Sequence, residues 1–204
     1  MIGNEKRNII LTYGTDVQIF SPDDKYLYDT KALVGKGTKN SLQEVSIEYH
    51  RQVQLVPEID LVNGTIMYMP LTKEKYIAVA SMEEIVLNEK IATIVRFLQS
   101  NATVTITGVG EVADENGNVK TSSIVRVADQ PAYITFINAE LPQFKAGYFE
   151  KADYLMYIAA TDIDLLDQVK IMVAGREKRM KVETVDYLSF VGLALVGLVT
   201  ETRA

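Results

Sequence analysis

No cysteine interrupts this sequence. That excludes a disulfide framework, Cys-ligated zinc and a thiol nucleophile. Tryptophan is also absent, and His50 is the single histidine. One imidazole without a second histidine or a thiolate makes no metal site. Ser-His catalysis needs a nucleophile as well as a base, and no Gly-x-Ser-x-Gly motif accompanies His50. Excess positive charge is lacking too: the net charge is -6, which speaks against sequence-independent binding to the outside of a nucleic acid. Long apolar runs are missing. The longest, Phe190 to Val199, is half of the roughly 20 residues a membrane helix needs, so no membrane partner is expected. No apolar signal core precedes Ile9, and no signal peptide is expected.

What is present is patterned mainly for strands. Asp16 to Phe20, Tyr26 to Val34 and Lys75 to Ala80 read as strands, and Gln43 to Val56 alternates as one long strand or two joined by a bulge. Ser21-Pro22-Asp23-Asp24 is a turn, because proline presets φ and the serine and aspartates offer local hydrogen bonds. Asn63-Gly64 signals a hairpin whose return strand is Ile66 to Met69. Thr103 to Val127 reads as a long hairpin turning at Asp114, Glu115, Asn116, Gly117 and Asn118, with Gly108 and Gly110 weakening its first arm or marking a bulge. Ala132 to Ile137 is expected to be a separate strand.

The last third is the most regular part. Asp167 to Val173 alternates, Gly175 turns the chain, Met180 to Val185 alternates again, and Val191 to Val199 is apolar throughout, as a strand buried on both faces would be. Val169, Ile171, Val182, Leu195 and Val199 are expected in one core. Two helices are expected. Asn4 to Tyr13 begins with Asn4 as cap and stops at Gly14. Ser81 to Ser100 opens on a Ser-x-x-Glu capping box and sets Ile85, Asn88, Ile91, Ala92, Val95 and Leu98 on one face.

Few residues suggest chemistry. The loop Gly35 to Ser41, containing Gly35, Lys36, Gly37 and Thr38, lacks the Walker spacing of a phosphate loop. It reads as a solvated connection, or as a segment that orders against a neighbouring subunit. Asp23 with Asp24, and the trio Asp162, Asp164 and Asp167, are the available acids. The trio has the oxygen ligands a hard cation favours, but no EF-hand spacing; solvated turn residues or subunit salt bridges are the preferred reading. His50 reads as a surface or interface histidine. No catalytic residue, metal ligand or cofactor is expected.

One resemblance goes further. Gly147-Tyr148-Phe149 is followed by Ala152-Asp153. Asp162-Ile163-Asp164 leads into Asp167-Gln168-Val169-Lys170-Ile171, then Gly175, Lys181-Val182-Glu183, Val185-Asp186 and a closing apolar strand. Together with Ile9 to Ile19, this order resembles the head closure, or stopper, proteins of the head-to-tail connector of tailed bacteriophages. Ala159-Ala160-Thr161 departs from the family, where Val-Pro is common, and the chain is longer than its shortest members.

The resemblance implies a mainly β protein: a small β-barrel or sandwich built from residues 1–71 and 130–204, with an N-terminal helix and a middle insertion, 72–129, holding a helix and a hairpin. It implies a virion protein of the neck, assembled in the host cytoplasm. Such a protein forms a ring with copies of itself and meets the portal or adaptor protein on one side and the tail terminator or tail tube protein on the other. It retains packaged DNA that passes through its lumen. Contact elements would be Gly35 to Ser41, the Asp114 to Asn118 tip and the tail Thr200 to Ala204. The alternative is a monomeric β-domain that binds a small molecule or carbohydrate.

Overall fold

The computed structural model of the chain describes residues 2–36, 49–113, 119–137, 151–159, 162–173 and 175–201. It is mainly β, with a single helix among the described residues, α1 (Ile2–Tyr13). Twelve strands follow: β1 (Thr15–Phe20), β2 (Tyr26–Lys36), β3 (His50–Leu55), β4 (Ile66–Met69), β5 (Glu74–Val86), β6 (Glu89–Gln99), β7 (Ala102–Ala113), β8 (Val119–Phe136), β9 (Tyr154–Ala159), β10 (Gln168–Val173), β11 (Arg176–Asp186) and β12 (Leu193–Thr200). They close into two barrels, ordered β1-β2-β3-β6-β5-β4 and β10-β11-β12-β9-β8-β7. The compact units are residues 1–100 with 190–193, and 101–189 with 194–204. The expected scheme, one barrel from the two chain ends around an insertion at 72–129, is not what forms. Residues 72–100 complete the first barrel, and 101–129 begin the second.

In the first unit, α1 ends where expected: the Gly14 amide donates to the Ile10 carbonyl at 2.8 Å. It starts earlier, at Ile2, so Asn4 lies inside the helix and is not its cap. Ile10 is the apolar anchor, buried with Val56 and Ala92. The Ser21–Asp24 turn forms as read, with the Asp24 amide donating to the Ser21 carbonyl at 2.9 Å. Gly64 sits at φ +86 in the Asn63-Gly64 turn, but no hairpin results: β4 pairs with β1 and β5. The barrel interior is filled by Val17, Ile19, Val53, Leu55, Met67, Tyr76 and Phe97. Tyr76 donates to Glu74 at 2.6 Å; burial, then that carboxylate, push its phenol up to about 12.

The helix expected over Ser81 to Ser100 is instead the outer half of β5, a tight turn and β6. Leu87 and Asn88 take φ +51 and +63, as a two-residue hairpin turn requires. Ile91, Thr93, Val95 and Phe97 are buried in alternation while Ile94 and Arg96 are half-buried. The β-branched run Ile91, Thr93, Ile94 and Val95 favours this pleated surface over a helix.

In the second unit, β7 and β8 form the expected long hairpin. The segment Ala132–Phe136 is the continuation of β8, not a separate strand, and pairs with β9. Asp129 at φ +49 marks the bend between the two halves. The hairpin's register shifts fall at Val104–Thr107, before the two glycines. β10 and β11 are joined across Gly175 at φ +76. Val169, Ile171 and Val182 share one core with Met180, Val196 and Leu198. Leu195 is buried outside that cluster's described members, and Val199 is half-buried. In β12, Leu193 to Leu198 are all buried: Ala194, Val196 and Leu198 face the interior cluster, while Leu193 and Leu195 are covered on the other face.

Candidate functional site: a groove and a clamped turn

Two surface features stand out, one in each unit. The first is a groove of about 490 Å³ lined by the end of α1 and by residues of β1, β2 and β3. Register explains its lining. Thr15 pairs with Ala32, Leu33 with Gln54 and Gly35 with Gln52, so these positions run side by side. Tyr13, the largely exposed last residue of α1, flanks them. Leu33 supplies apolar wall beside Ala32 and Val34, which pack into the barrel interior. Gln52 and Gln54 supply amides, and among the described residues lining it Lys36 is the only charged one. Of the loop residues singled out from the sequence, Gly35 and Lys36 thus sit at the end of β2 and line this groove. Gly37, Thr38, Asp114, Glu115, Asn116, Gly117 and Asn118 lie outside the described residues, as do the last three residues of the expected C-terminal contact element.

The second feature is built around Arg126 of β8. Its Nη1 pairs with Asp162 at 2.8 Å, Nη2 with Asp164 at 2.5 Å and Nε with Asp167 at 3.2 Å. Asp162 and Asp164 are exposed, whereas Asp167 is 4% exposed and the arginine side chain 12%. The trio is therefore not simply solvated: a guanidinium of the same chain holds it. Among the described residues no group of three or more acidic or histidine side chains is arranged to hold a metal ion. Gly108 of β7 leaves room for the clamp. A Cβ there would lie 2.2 Å from Arg126 Nε and 2.5 Å from Asp167 Oδ1.

The clamp fixes the turn Asp164-Leu165-Leu166-Asp167. Asp164 N–H donates to Asp167 Oδ2 at 3.0 Å, the Leu166 amide to the Val182 carbonyl at 2.9 Å, and the Val182 amide to the Asp167 carbonyl at 2.9 Å. Tyr187 braces the approach: its hydroxyl accepts from the Ile163 amide at 2.8 Å and donates to the Ile163 carbonyl at 3.0 Å. Burial raises the Tyr187 pKa above its ordinary value, keeping the hydroxyl a donor. The turn displays two apolar side chains, Leu165 and Leu166, 61% and 63% exposed. Leu166 holds φ +72, a conformation unfavourable for a side chain of this kind.

His50 is not a surface residue. It is 1% exposed, and among the described residues neither ring nitrogen has a hydrogen-bond partner. Alternation puts it on the same face of β3 as Gln52 and Gln54, a pattern that reads as exposed. Burial first, and the Arg96 cation second, lower its pKa below the ordinary histidine value. Its neighbours in sequence, Glu48 and Arg51, gave no sign of this. The Arg126 clamp was equally silent, because nothing in sequence spacing pairs Arg126 with acids some forty residues away.

No protein-family model matches the chain, and no curated protein matches it. Among solved structures it is similar to MrkH of K. pneumonia in the apo state, at 12% identity and a TM-score of 0.26, over 100% of this chain and 84% of that one. A second MrkH structure, described as that of a c-di-GMP-dependent transcription regulatory factor, is 11% identical with a TM-score of 0.23, over 99% and 84%. At such scores the likeness carries no argument about function. Among the described residues no helix is long and apolar enough to cross a membrane, which says nothing of crossing by strands.

Proposed function

We propose that the chain is a structural, non-enzymatic protein of a phage neck. In this reading it forms a ring between portal or adaptor and tail, retains packaged DNA and docks the tail. The assembly is named by the sequence resemblance; the β7–β8 arm is the structural observation that supports it. β7 pairs with β10 only as far as Thr107, and β8 pairs with β9 only from Ala132. Between these limits Gly108–Ala113 and Val119–Val127 pair, among the described strands, only with each other. The arm exposes Val109 and Val125, 68% and 62% accessible. A rooted projecting ladder with apolar side chains in water is suited to contacts made in an assembly. Arg126 anchors its root.

The experiment is to replace residues 114–118 by a two-residue turn. The isolated protein is expected to stay folded, since the described strands and core of the second barrel lie outside this segment. Particles carrying it are expected to package DNA and then leak it, or to fail to join tails. Full DNA retention and normal tail joining would remove the arm from the function. Electron microscopy of the chain with portal complexes tests the neck placement itself.

The groove favours a second reading, a β-domain that binds a small polar molecule or carbohydrate. An exposed tyrosine beside two amides is the chemistry such ligands use. That reading requires saturable binding of a soluble sugar or small polar compound, lost in Gln52→Ala.

A further inference from the structure

We infer that the groove of one copy receives the Leu165–Leu166 turn of a second copy. The inference rests on the ring reading above and supplies its subunit contact. The turn is made for display. Its leucines belong to no described core cluster and are mostly exposed, so the second barrel gains little burial from them. Yet the turn is fixed by Arg126, by two backbone hydrogen bonds to Val182 and by Tyr187 below it. Leu166 holds its unfavourable φ in full view of solvent. Leu87 shares the exposure and the positive φ. What sets Leu166 apart is the ion-paired, hydrogen-bonded frame that holds its turn, and a strained apolar turn fixed in that way points to a role in recognition.

The groove complements it in shape class and charge. Leu33 and Tyr13 give it apolar surface, and its volume lies within the range of small-ligand pockets. Among the described residues lining it, Lys36 is the one charge and none is a carboxylate. At the turn, three carboxylates face one guanidinium, an excess of two negative charges beside the leucines. Lys36 of the receiving copy meets that excess, which favours this pairing over turn-to-turn contact. Turn and groove are different surfaces, so the contact is head-to-tail. Repeated, it gives a ring if the rotation closes and a filament if it does not. An insert of two side chains makes a weak contact, so a ring forms only where many copies are gathered, as on a portal.

Sedimentation velocity of the full chain, from micromolar to about 1 mM, the weak end of specific affinity, is the test. Leu165→Ser with Leu166→Asn removes the insert, and asparagine tolerates positive φ, so folding is retained. Lys36→Glu with Gln52→Glu reverses the receiving charge. Wild type is expected to self-associate, and each double variant to do so at least tenfold more weakly. An equimolar mixture of the two is expected to form 1:1 pairs and nothing larger, because one intact turn then meets one intact groove. Leu165→Ser alone, expected to weaken association in proportion, covers failure of a double variant to fold, which unchanged circular dichroism excludes. A monomeric wild type throughout the range, variants associating as tightly as wild type, or a mixture without pairs would overturn the contact. These outcomes are independent of the neck reading. Chain built into portal particles with no such self-association would sink only the contact, and self-association without incorporation would sink only the neck.

Discussion

His50 makes the stability of the first barrel answer to proton concentration. It is buried, without a hydrogen-bond partner among the described residues, and depressed in pKa, so the folded chain holds it neutral while the unfolded chain protonates it near the ordinary value of about 6.5. The unfolded state binds more protons there. Stability is therefore full above that value and falls as pH drops below it, by at most about 1.4 kcal/mol per pH unit. Urea unfolding at stepped pH is expected to show this loss between about pH 7 and 5, and His50→Phe is expected to flatten it. Gly108 offers a second test at this scale. Gly108→Ala drives a Cβ into the Arg126–Asp167 contact, and the forced shift is expected to cost roughly 1–3 kcal/mol, seen as a lower melting midpoint. Arg126→Ala is expected to cost more, about 3–5 kcal/mol, because it leaves buried Asp167 without a counter-charge. None of these residues was legible in advance. Burial of a polar side chain and the meeting of distant charges are decided by tertiary packing, which local spacing does not encode.

Single elements were easier to read. The long β7–β8 hairpin, the β10 and β11 alternation, the Gly175 turn and the fully buried face-to-face run of β12 follow from strand periodicity and turn chemistry. The failure over Ser81 to Ser100 is instructive. Ile85, Ile91, Ala92, Val95 and Leu98 satisfy helical spacing, but the β-branched positions between them satisfy a period of two as well, and barrel closure selects the latter. The turn that divides the strands was hidden because a leucine occupies a position where asparagine or glycine is usual. Leu87 is 86% exposed at φ +51, so it contributes strain and little burial. Leu87→Asn is expected to stabilise the protein by roughly 1 kcal/mol, raising the denaturation midpoint without changing the slope of the transition.

For the whole molecule, β content was legible and the division was not. No proline-rich or glycine-rich linker marks residue 100, and β6 passes into β7 across Ser100 and Asn101 alone. Each barrel has its own core, with no member in common. Val182→Ala is therefore expected to cost about 1–3 kcal/mol and to speed amide exchange in β7 to β12, leaving β1 to β6 protected; exchange read by mass spectrometry checks this. Closure itself has a further consequence. β12 stands between β11 and β9, so it works as a stave in a cask. A stop codon or protease cut ahead of Leu193 would not trim a loose end. It would leave β9 and β11 with raw hydrogen-bonding rims and strip the cover from Met156, Ile158 and Val182, turning a self-contained cylinder into a seed for clumping.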